Sequence, residues 1–359
     1  MTDYVGLTWD HPRGREALEK ASGELPSGDT IRWETQPLEG FESAPIDELC
    51  ERYDLVVLDH PHLGDALATN SIRALDEVFD AADIEAWQAG AVGPTIDSYT
   101  MGGRLWALPL DAATQVSVRR IAAVPEAPRG WDDIPARTAL SLAGPHAFLS
   151  LCSVAVSLGG DPFADGSFGP EGVGALEIMQ RIADRAPTGS ERLNPIGLLD
   201  RMRDEADIDY VPLVYGYVNY SSEEVRFGAP PASVRSGSTI GGTGIAISHR
   251  AEVSPALADH LRWLLSPGTQ AGFIPANAGQ PGLRSAWRDT AVDAAAHGFY
   301  SATLDTIERS WIRPRFAGYI PFQQAASALV RDALAGIRPH ADALDEIDAH
   351  YRIATEEAA

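Results

Sequence analysis

Short apolar strands alternate with amphipathic helices over the first sixty residues, and this order constrains the fold more than any other feature. The pattern predicts strands at 4–8, 30–35 and 55–58, with helices at 12–21 and 46–52 between them. The run Leu-Val-Val-Leu at 55–58 is wholly apolar, which is typical of a central strand covered on both faces. A β-α-β-α-β order predicts a parallel sheet with helices packed on it.

A second cycle of strands and helices begins near residue 138. It predicts strands at 139–142, 210–214 and 244–247, with apolar or amphipathic helices at 148–158 and 173–183. No proline- or serine-rich linker separates the two cycles, and a chain of 359 residues suits two domains. We therefore expect two α/β lobes joined by several crossings of the chain.

The charge balance excludes several classes of partner. The chain has 28 basic and 51 acidic residues, a net charge of −23, and such a surface repels nucleic acid and anionic lipid. No apolar run reaches the length of about 18 residues that a membrane-spanning helix needs, so membrane insertion is not expected. The acidic start Met1-Thr2-Asp3 lacks the basic region of a secretory signal. We expect a cytoplasmic location, with a periplasmic or extracellular one only if a signal peptide has been removed.

Six segments occur in an order and spacing that point to a known family. They are YDLVVLD at 53–59, GRLWALPLD at 103–111, GWDD at 130–133, GGTGIAIS at 241–248, WLLSP at 263–267 and GQPGLR at 279–284. With them the chain resembles the family 1, maltose-binding-like, extracellular solute-binding proteins of ABC importers. The resemblance implies a periplasmic-binding-protein-like fold with a ligand cleft between two hinged lobes. It implies lobes of 1–111 plus 249–297 and 112–248 plus 298–359, a small-molecule ligand, and an ABC permease as partner if the protein is exported.

The tripeptide Asp-His-Pro occurs twice, each time where a predicted strand ends. The two turns supply the candidate ligand-binding residues Trp9, Asp10, His11, Asp59, His60 and His62. Ligands of open α/β sheets lie beyond the carboxyl ends of the strands, so these side chains are candidates for binding a hydroxyl or carboxylate. The alternative is that they cap the helices that follow. His11, His60 and Asp59 are also candidates for acid/base catalysis, and a divalent metal held by nitrogen and oxygen is a further alternative. No other cofactor is expected.

Three further polar residues lie beside predicted strand or helix ends. Asp111 and Gln115 follow the predicted strand at 106–110, where they either contact the ligand or form a hydrogen bond that stabilises the hinge. His146 precedes an apolar helix and either points into the cleft or caps that helix.

The remaining candidates combine aromatic rings, glycine and arginine. Tyr215, Tyr217 and Asn219 follow a strand; aromatic rings stack on sugars, and an amide both donates and accepts hydrogen bonds. Gly242 and Thr243 lie in a glycine-rich stretch without the lysine of a phosphate loop, and the resemblance places them on the cleft floor. Arg284 pairs either with a carboxylate ligand or with the acidic surface.

The function expected from the sequence is capture of a small polar ligand, sugar-like or hydroxylated or carboxylated, in a cleft between the lobes. The alternative is a cytoplasmic enzyme of the same fold that uses the His/Asp cluster as acid and base in a lyase, hydrolase or isomerase reaction. The sequence leaves open whether the ligand is turned over.

Overall fold

The structure is a computed structural model that describes residues 2–22 and 28–358. Its strands are β1 Asp3–Trp9, β2 Thr30–Gln36, β3 Leu55–Leu58, β4 Thr100–Met101, β5 Arg104–Leu105, β6 Leu108–Arg120, β7 Tyr210–Tyr215, β8 Val225–Gly228 and β9 Ile240–Ile247.

Helices lie in the longer intervals between the strands and in the part of the chain that follows β9. They are α1 Pro12–Ala21, α2 Leu38–Ser43, α3 Ile46–Arg52, α4 Leu63–Ala68, α5 Ala81–Gly90, α6 Thr95–Ser98, α7 His146–Ser157, α8 Glu171–Ala183, α9 Pro195–Asp204, α10 Pro255–Leu264, α11 Ile274–Ala276, α12 Arg284–Trp287, α13 Thr290–Ala295, α14 Phe299–Glu308, α15 Tyr319–Leu334 and α16 His340–Glu357. Short 3₁₀ turns occur at His60–His62, Leu75–Glu77, Ser190–Arg192 and Val218–Tyr220, and a π-helical turn at Thr269–Phe273. Within the described ranges no helix combines the length and apolar character needed to cross a membrane.

Two compact units share the chain. Unit 1 comprises Met1–Ala113, Gly241–Ala295 and Arg315–Ala317, and unit 2 comprises Thr114–Ile240, Ala296–Pro314 and Gly318–Ala359. The family resemblance implied that the chain passes between the lobes after residues 111, 248 and 297. The second passage differs most, because residues 241–248 continue the sheet of unit 1 beside β3.

The core of unit 1 is built on the strands β2-β1-β3-β9-β6, in that order, of a seven-stranded sheet. β1 pairs in parallel with β2 and with β3, as the β-α-β-α-β pattern predicts, whereas β9 runs antiparallel to β3. All four residues of Leu55–Leu58 are buried, which accounts for their wholly apolar character. The mixed α/β fold expected from the sequence is confirmed.

Unit 2 combines an antiparallel sheet with a layer of helices. The second half of β6 pairs with β7 and with β8, and α7, α8, α15 and α16 pack together. An aromatic cluster lies between these helices, with Phe163 stacked on Tyr351 at 4.1 Å and Phe148 edge-on to Phe322 at 5.6 Å.

The predicted strand at 139–142 is wrong. Only Thr138 forms a bridge, with Tyr210, and the chain then continues without strand pairing. Leu140 and Leu142 are buried all the same, and the carbonyl of Leu142 accepts a hydrogen bond from Arg331 of α15. The apolar run therefore reflects burial beside a helix, a pattern that periodicity alone does not distinguish from a strand.

Candidate functional site

One edge of the unit 1 sheet collects the predicted residues of both Asp-His-Pro turns. Gly6 pairs with Leu55 and Leu7 with Val56, so the parallel strands β1 and β3 end side by side. Because β9 is antiparallel and Gly244 pairs with Leu58, the start of β9 lies at the same edge. The register thus brings Trp9 to His11, Asp59 to His62, and Gly242 with Thr243 to one edge of the sheet.

The first turn is organised by His11 as the N-cap of α1. Its backbone is extended, with φ −147°, and its Nδ1 accepts a hydrogen bond from the backbone N–H of Arg13 at 3.1 Å. Burial, together with the charges of Arg13 and Arg15, lowers the pKa of the His11 imidazole to about 4. His11 is therefore neutral near pH 7, and one of its ring nitrogens is already engaged.

Trp9 and Asp10 precede this cap and lie in opposite environments. The Trp9 ring is buried in the core of unit 1, with Phe41 5.2 Å away between ring centroids and with Gly14 against its face. Its indole Nε1 is enclosed, with no hydrogen-bond acceptor among residues 2–22 and 28–358. The carboxylate of Asp10 is exposed and lies 3.1 Å from the Arg15 guanidinium.

In the second turn Asp59 offers the accessible group. Its carboxylate accepts a hydrogen bond from the backbone N–H of His60 at 2.9 Å and lies 3.1 Å from His60 Nδ1. His60 and His62 are buried, and His62 Nε2 is 3.1 Å from the carbonyl oxygen of Phe41. The side chain of Asp59 is 17% exposed, so it can accept a hydrogen bond from a solute as well as from the turn.

A buried ion pair joins α1 to β6, and the sequence analysis predicted only one of its partners. The Arg13 guanidinium donates from Nε and Nη2 to the two carboxylate oxygens of Asp111 on β6. Asp111 also accepts a hydrogen bond from the backbone N–H of Thr243. Burial raises the pKa of the Asp111 carboxyl, against the opposing effects of Arg13 and of this N–H. The pair links the first turn to β6 and β9.

The remaining candidates of unit 1 lie beside this pair or farther along the chain. Gly242 has φ +99°, and a Cβ there would lie 2.5 Å from the carbonyl oxygen of Asp111, so the backbones approach too closely for a side chain. Thr243 is buried, and its hydroxyl oxygen makes no hydrogen bond within the described part of the chain. Arg284 is half-buried at the start of α12. Across the described ranges, no group of three or more His, Cys, Asp and Glu side chains is arranged to hold a metal ion.

In unit 2, Gln115 is fully buried and serves an internal network. Its side-chain oxygen accepts a hydrogen bond of 2.5 Å from the Ser153 hydroxyl, which also lies 2.9 Å from Thr239 Oγ1. Gln115 thus takes part in a hydrogen-bond network within unit 2.

The aromatic candidates of unit 2 lie at the end of β7. His146 begins α7, and its ring meets the half-buried Tyr215 ring edge-on at 6.0 Å. The Tyr215 hydroxyl is 3.4 Å from the carbonyl oxygen of Ile240. Tyr217 is buried and packs edge-on against Tyr220 at 6.4 Å. The structure thus places His146 beside Tyr215, a neighbour relation that the sequence does not show.

Asn219 is exposed and lines a cavity of about 560 Å³ in unit 2. The Arg203 guanidinium lies over the Tyr220 ring at 5.5 Å in the same wall, and the Tyr220 hydroxyl donates to Asp200 at 3.0 Å. The cavity walls come from the end of β6, from α9 and from residues 219–225. Sequence reasoning missed this cavity because these segments are far apart along the chain.

Comparison with known proteins finds a match for the structure of this chain but none for its sequence. No protein-family model matches the sequence, and no curated protein matches it. The structure, however, matches the maltose-bound protein MalE3 of T. maritima with a TM-score of 0.82, at 18% identity, over 98% of this chain and 100% of that one. The chain has the solute-binding-protein fold.

Two further solute-binding proteins share this fold over nearly their whole length. An ABC transporter solute-binding protein from Agrobacterium radiobacter K84, in complex with ribitol, gives a TM-score of 0.80 at 21% identity, over 98% of each chain. Another, from Agrobacterium vitis S4 with bound D-mannitol, gives 0.77 at 16% identity, over 100% of this chain and 99% of that one. The resemblance to the maltose-binding-like group predicted from the sequence is thereby confirmed at the level of fold.

Proposed function

We propose that this protein captures a small polyhydroxylated solute, a sugar or a polyol. One observation carries the proposal: the chain matches, over its whole length and both units, structures described with maltose, ribitol or D-mannitol. A structural likeness confined to one unit would fit many α/β proteins. The likeness found here also covers the segments where the chain passes from one unit to the other.

The accessible polar groups suit such a solute. Asp59 accepts hydrogen bonds from hydroxyl groups, and Asn219 both donates and accepts them. Tyr215 is half-buried and offers an aromatic ring, and sugar rings pack on aromatic faces. With a net charge of −23, the protein attracts a neutral or cationic solute more readily than an anionic one. These features support a neutral polyhydroxylated ligand over a carboxylated one.

The acid/base alternative gains no support from His11. With its pKa lowered to about 4 and its Nδ1 bonded to the helix start, this imidazole is a weak base at neutral pH. Plain capture of the solute is the simpler use of the same residues.

The proposal extends to a partner. Two of the matched proteins are named as ABC transporter solute-binding proteins, so we propose an ABC permease as the recipient of the solute if the chain is exported. The cytoplasmic location expected from the sequence excludes that partner. Fractionation of cells that express the chain from its native gene, with the location read by immunoblot, decides between the two.

A ligand screen tests the proposed function directly. The purified protein is heated with maltose, ribitol, tagatose, mannitol and related compounds, and each compound that raises the melting temperature is measured by calorimetry. We expect a saturable ligand that is recovered chemically unchanged by NMR. Recovery of a chemically converted product would show that the protein is an enzyme. If no sugar or polyol of the panel binds, the proposal is contradicted.

Two substitutions then locate the ligand. Asp59→Ala and Asn219→Ala should each weaken binding by about 5- to 150-fold, which corresponds to roughly 1–3 kcal/mol for a lost buried hydrogen bond. Glu51→Ala, at an exposed carboxylate of α3, is the control and should bind as the wild type does. Unchanged affinity in both test variants would exclude these residues from the site.

A further inference from the structure

Two arginines oppose each other on neighbouring strands of unit 2. In the antiparallel pairing of β6 with β8, Arg119 is the register partner of Arg226, and on its other side Arg119 pairs with Tyr210 of β7. Side chains of directly opposed residues project from the same face of the sheet, about 5 Å apart at their Cβ atoms. Like charges in such a pair repel, so the arrangement costs stability unless something neutralises it.

Arg119 makes neither a hydrogen bond nor an ion pair with any residue that the structure describes, although the chain carries 51 acidic residues. Its Nε is enclosed without an acceptor. The neighbouring Arg120 shows the contrast, since it donates to the carbonyl of Ala206 and pairs with Asp209. Burial lowers the pKa of the Arg119 guanidinium, and the charge of Arg226 acts in the same direction.

Space beside the Arg119 guanidinium is left open by a glycine. Gly228 is the register partner of Ser117, two residues before Arg119 on β6. A Cβ at Gly228 would lie 3.6 Å from Arg119 Nη1 and 3.7 Å from Ser117 Oγ. The Ser117 hydroxyl is held by a 2.8 Å hydrogen bond to the carbonyl of Ala229. Any side chain at residue 228 would therefore begin in the space that adjoins the guanidinium.

We propose that Arg119 and Arg226 form a binding site for a small oxyanion of the phosphate or sulfate type, separate from the residues predicted to bind the solute. A planar guanidinium donates two parallel hydrogen bonds to such an anion, and two guanidiniums on one face hold it from two sides. The bound anion neutralises both charges and removes their repulsion. Arg226 donates one N–H to the carbonyl of His297, which leaves its other donors for the anion.

The two charges explain why an anion would bind to an otherwise acidic protein. Over the surface as a whole, 51 acidic residues repel anions, so only a site with two unneutralised cations at close range attracts one. The oxyanion is either free phosphate or sulfate, or the phosphoryl group of a small phosphorylated metabolite. Both present the same oxygen atoms to the arginines.

The test uses the full chain and inorganic phosphate at constant ionic strength, with sodium chloride as the balancing salt. We expect phosphate to raise the melting temperature and to give saturable binding by calorimetry, with glycerol 3-phosphate as a parallel arm. Tighter binding of glycerol 3-phosphate identifies a phosphorylated metabolite, and tighter binding of phosphate identifies the free ion. A melting temperature that phosphate changes no more than chloride does would overturn the proposal.

Variants separate a binding role from a structural one. Arg119→Met and Arg226→Met keep much of the apolar stem and remove the charge, so each should weaken phosphate binding by about 10-fold or more. Without phosphate, Arg119→Met should melt at a higher temperature than the wild type, because the repulsion is gone; an arginine with a merely structural role would give the opposite shift. Arg192→Met, at an exposed arginine of unit 2, is the control. Phosphate binding of wild-type strength in both test variants would refute the site.

Discussion

The buried ion pair of unit 1 permits the most quantitative prediction. Both side chains of the pair are almost fully buried, with 4% exposure for Arg13 and 3% for Asp111. Replacing Arg13 with Met leaves the Asp111 carboxylate in the interior with the Thr243 N–H but without its counter-charge. Removing one partner of a buried pair costs about 3–5 kcal/mol of unfolding free energy. At roughly 2–4 °C per kcal/mol, the melting temperature of unit 1 should fall by about 6–20 °C.

The assay must report on unit 1, because a chain of two units need not unfold in one transition. Hydrogen exchange of the β1 and β3 amides, read beside the circular-dichroism melt, provides that report. The matched control is Arg104→Met, which breaks an exposed ion pair with Asp76 and should cost under about 1 kcal/mol. The double variant Arg13→Met with Asp111→Leu removes both charges and should recover most of the loss. If Arg13→Met costs no more than the Arg104 control, the reasoning from burial is refuted.

Two further changes probe unit 1. The imidazole of His260 is buried, neither ring nitrogen forms a hydrogen bond with a residue that the structure describes, and burial lowers its pKa from 6.5 to about 4. Between about pH 6.5 and pH 4 the unfolded chain binds a proton at His260 and the folded chain does not. The free energy of unfolding therefore falls as the pH drops through this range, by up to roughly 3 kcal/mol from this group. In urea denaturation at pH 7 and pH 5, His260→Leu should flatten this dependence; an unchanged slope would contradict it. Gly242→Ala, at φ +99° and against the carbonyl of Asp111, should cost about 1–3 kcal/mol, whereas Gly102→Ala, at φ +58° with open space around it, should cost less; equal costs would show that the close approach is unimportant.

The sequence predicted the fold well where the pattern is local. The run 55–58 and the helix at 12–21, with proline at its start, are present with the predicted bounds, because burial and capping act on neighbouring residues. The strand predicted at 139–142 was wrong for the opposite reason. Its apolar residues are buried beside a helix that lies nearly two hundred residues farther along the chain, and the sequence alone does not show which element covers a buried segment.

The candidate residues show the same difference between local patterns and contacts that are distant in sequence. The turns at Asp59 and His11 were predicted from their position after strands, and both side chains indeed accept hydrogen bonds from the helical turns that follow them. Arg13, two residues beyond His11, was overlooked because its importance depends on Asp111, its partner on β6. A signal was nevertheless present, since Arg13 lies four residues before Ala17 and five before Leu18, on the apolar face of α1, and an arginine on a buried face needs a carboxylate there.

The interleaving of the two units has a consequence for the order in which the chain can fold during synthesis. Strand β3 is complete by Leu58, but its antiparallel partner β9 begins only at Ile240. At about 5–20 residues per second on the ribosome, roughly 10–40 s separate the two strands. During that interval the edge of β3 that β9 will cover has no partner strand, and an unpaired apolar edge is prone to aggregation. Unit 1 also draws on residues 315–317, so neither unit is complete before residue 317 has been made. Slow synthesis between residues 58 and 240 should therefore lower the yield of folded protein, and a chaperone that shields strand edges should restore it.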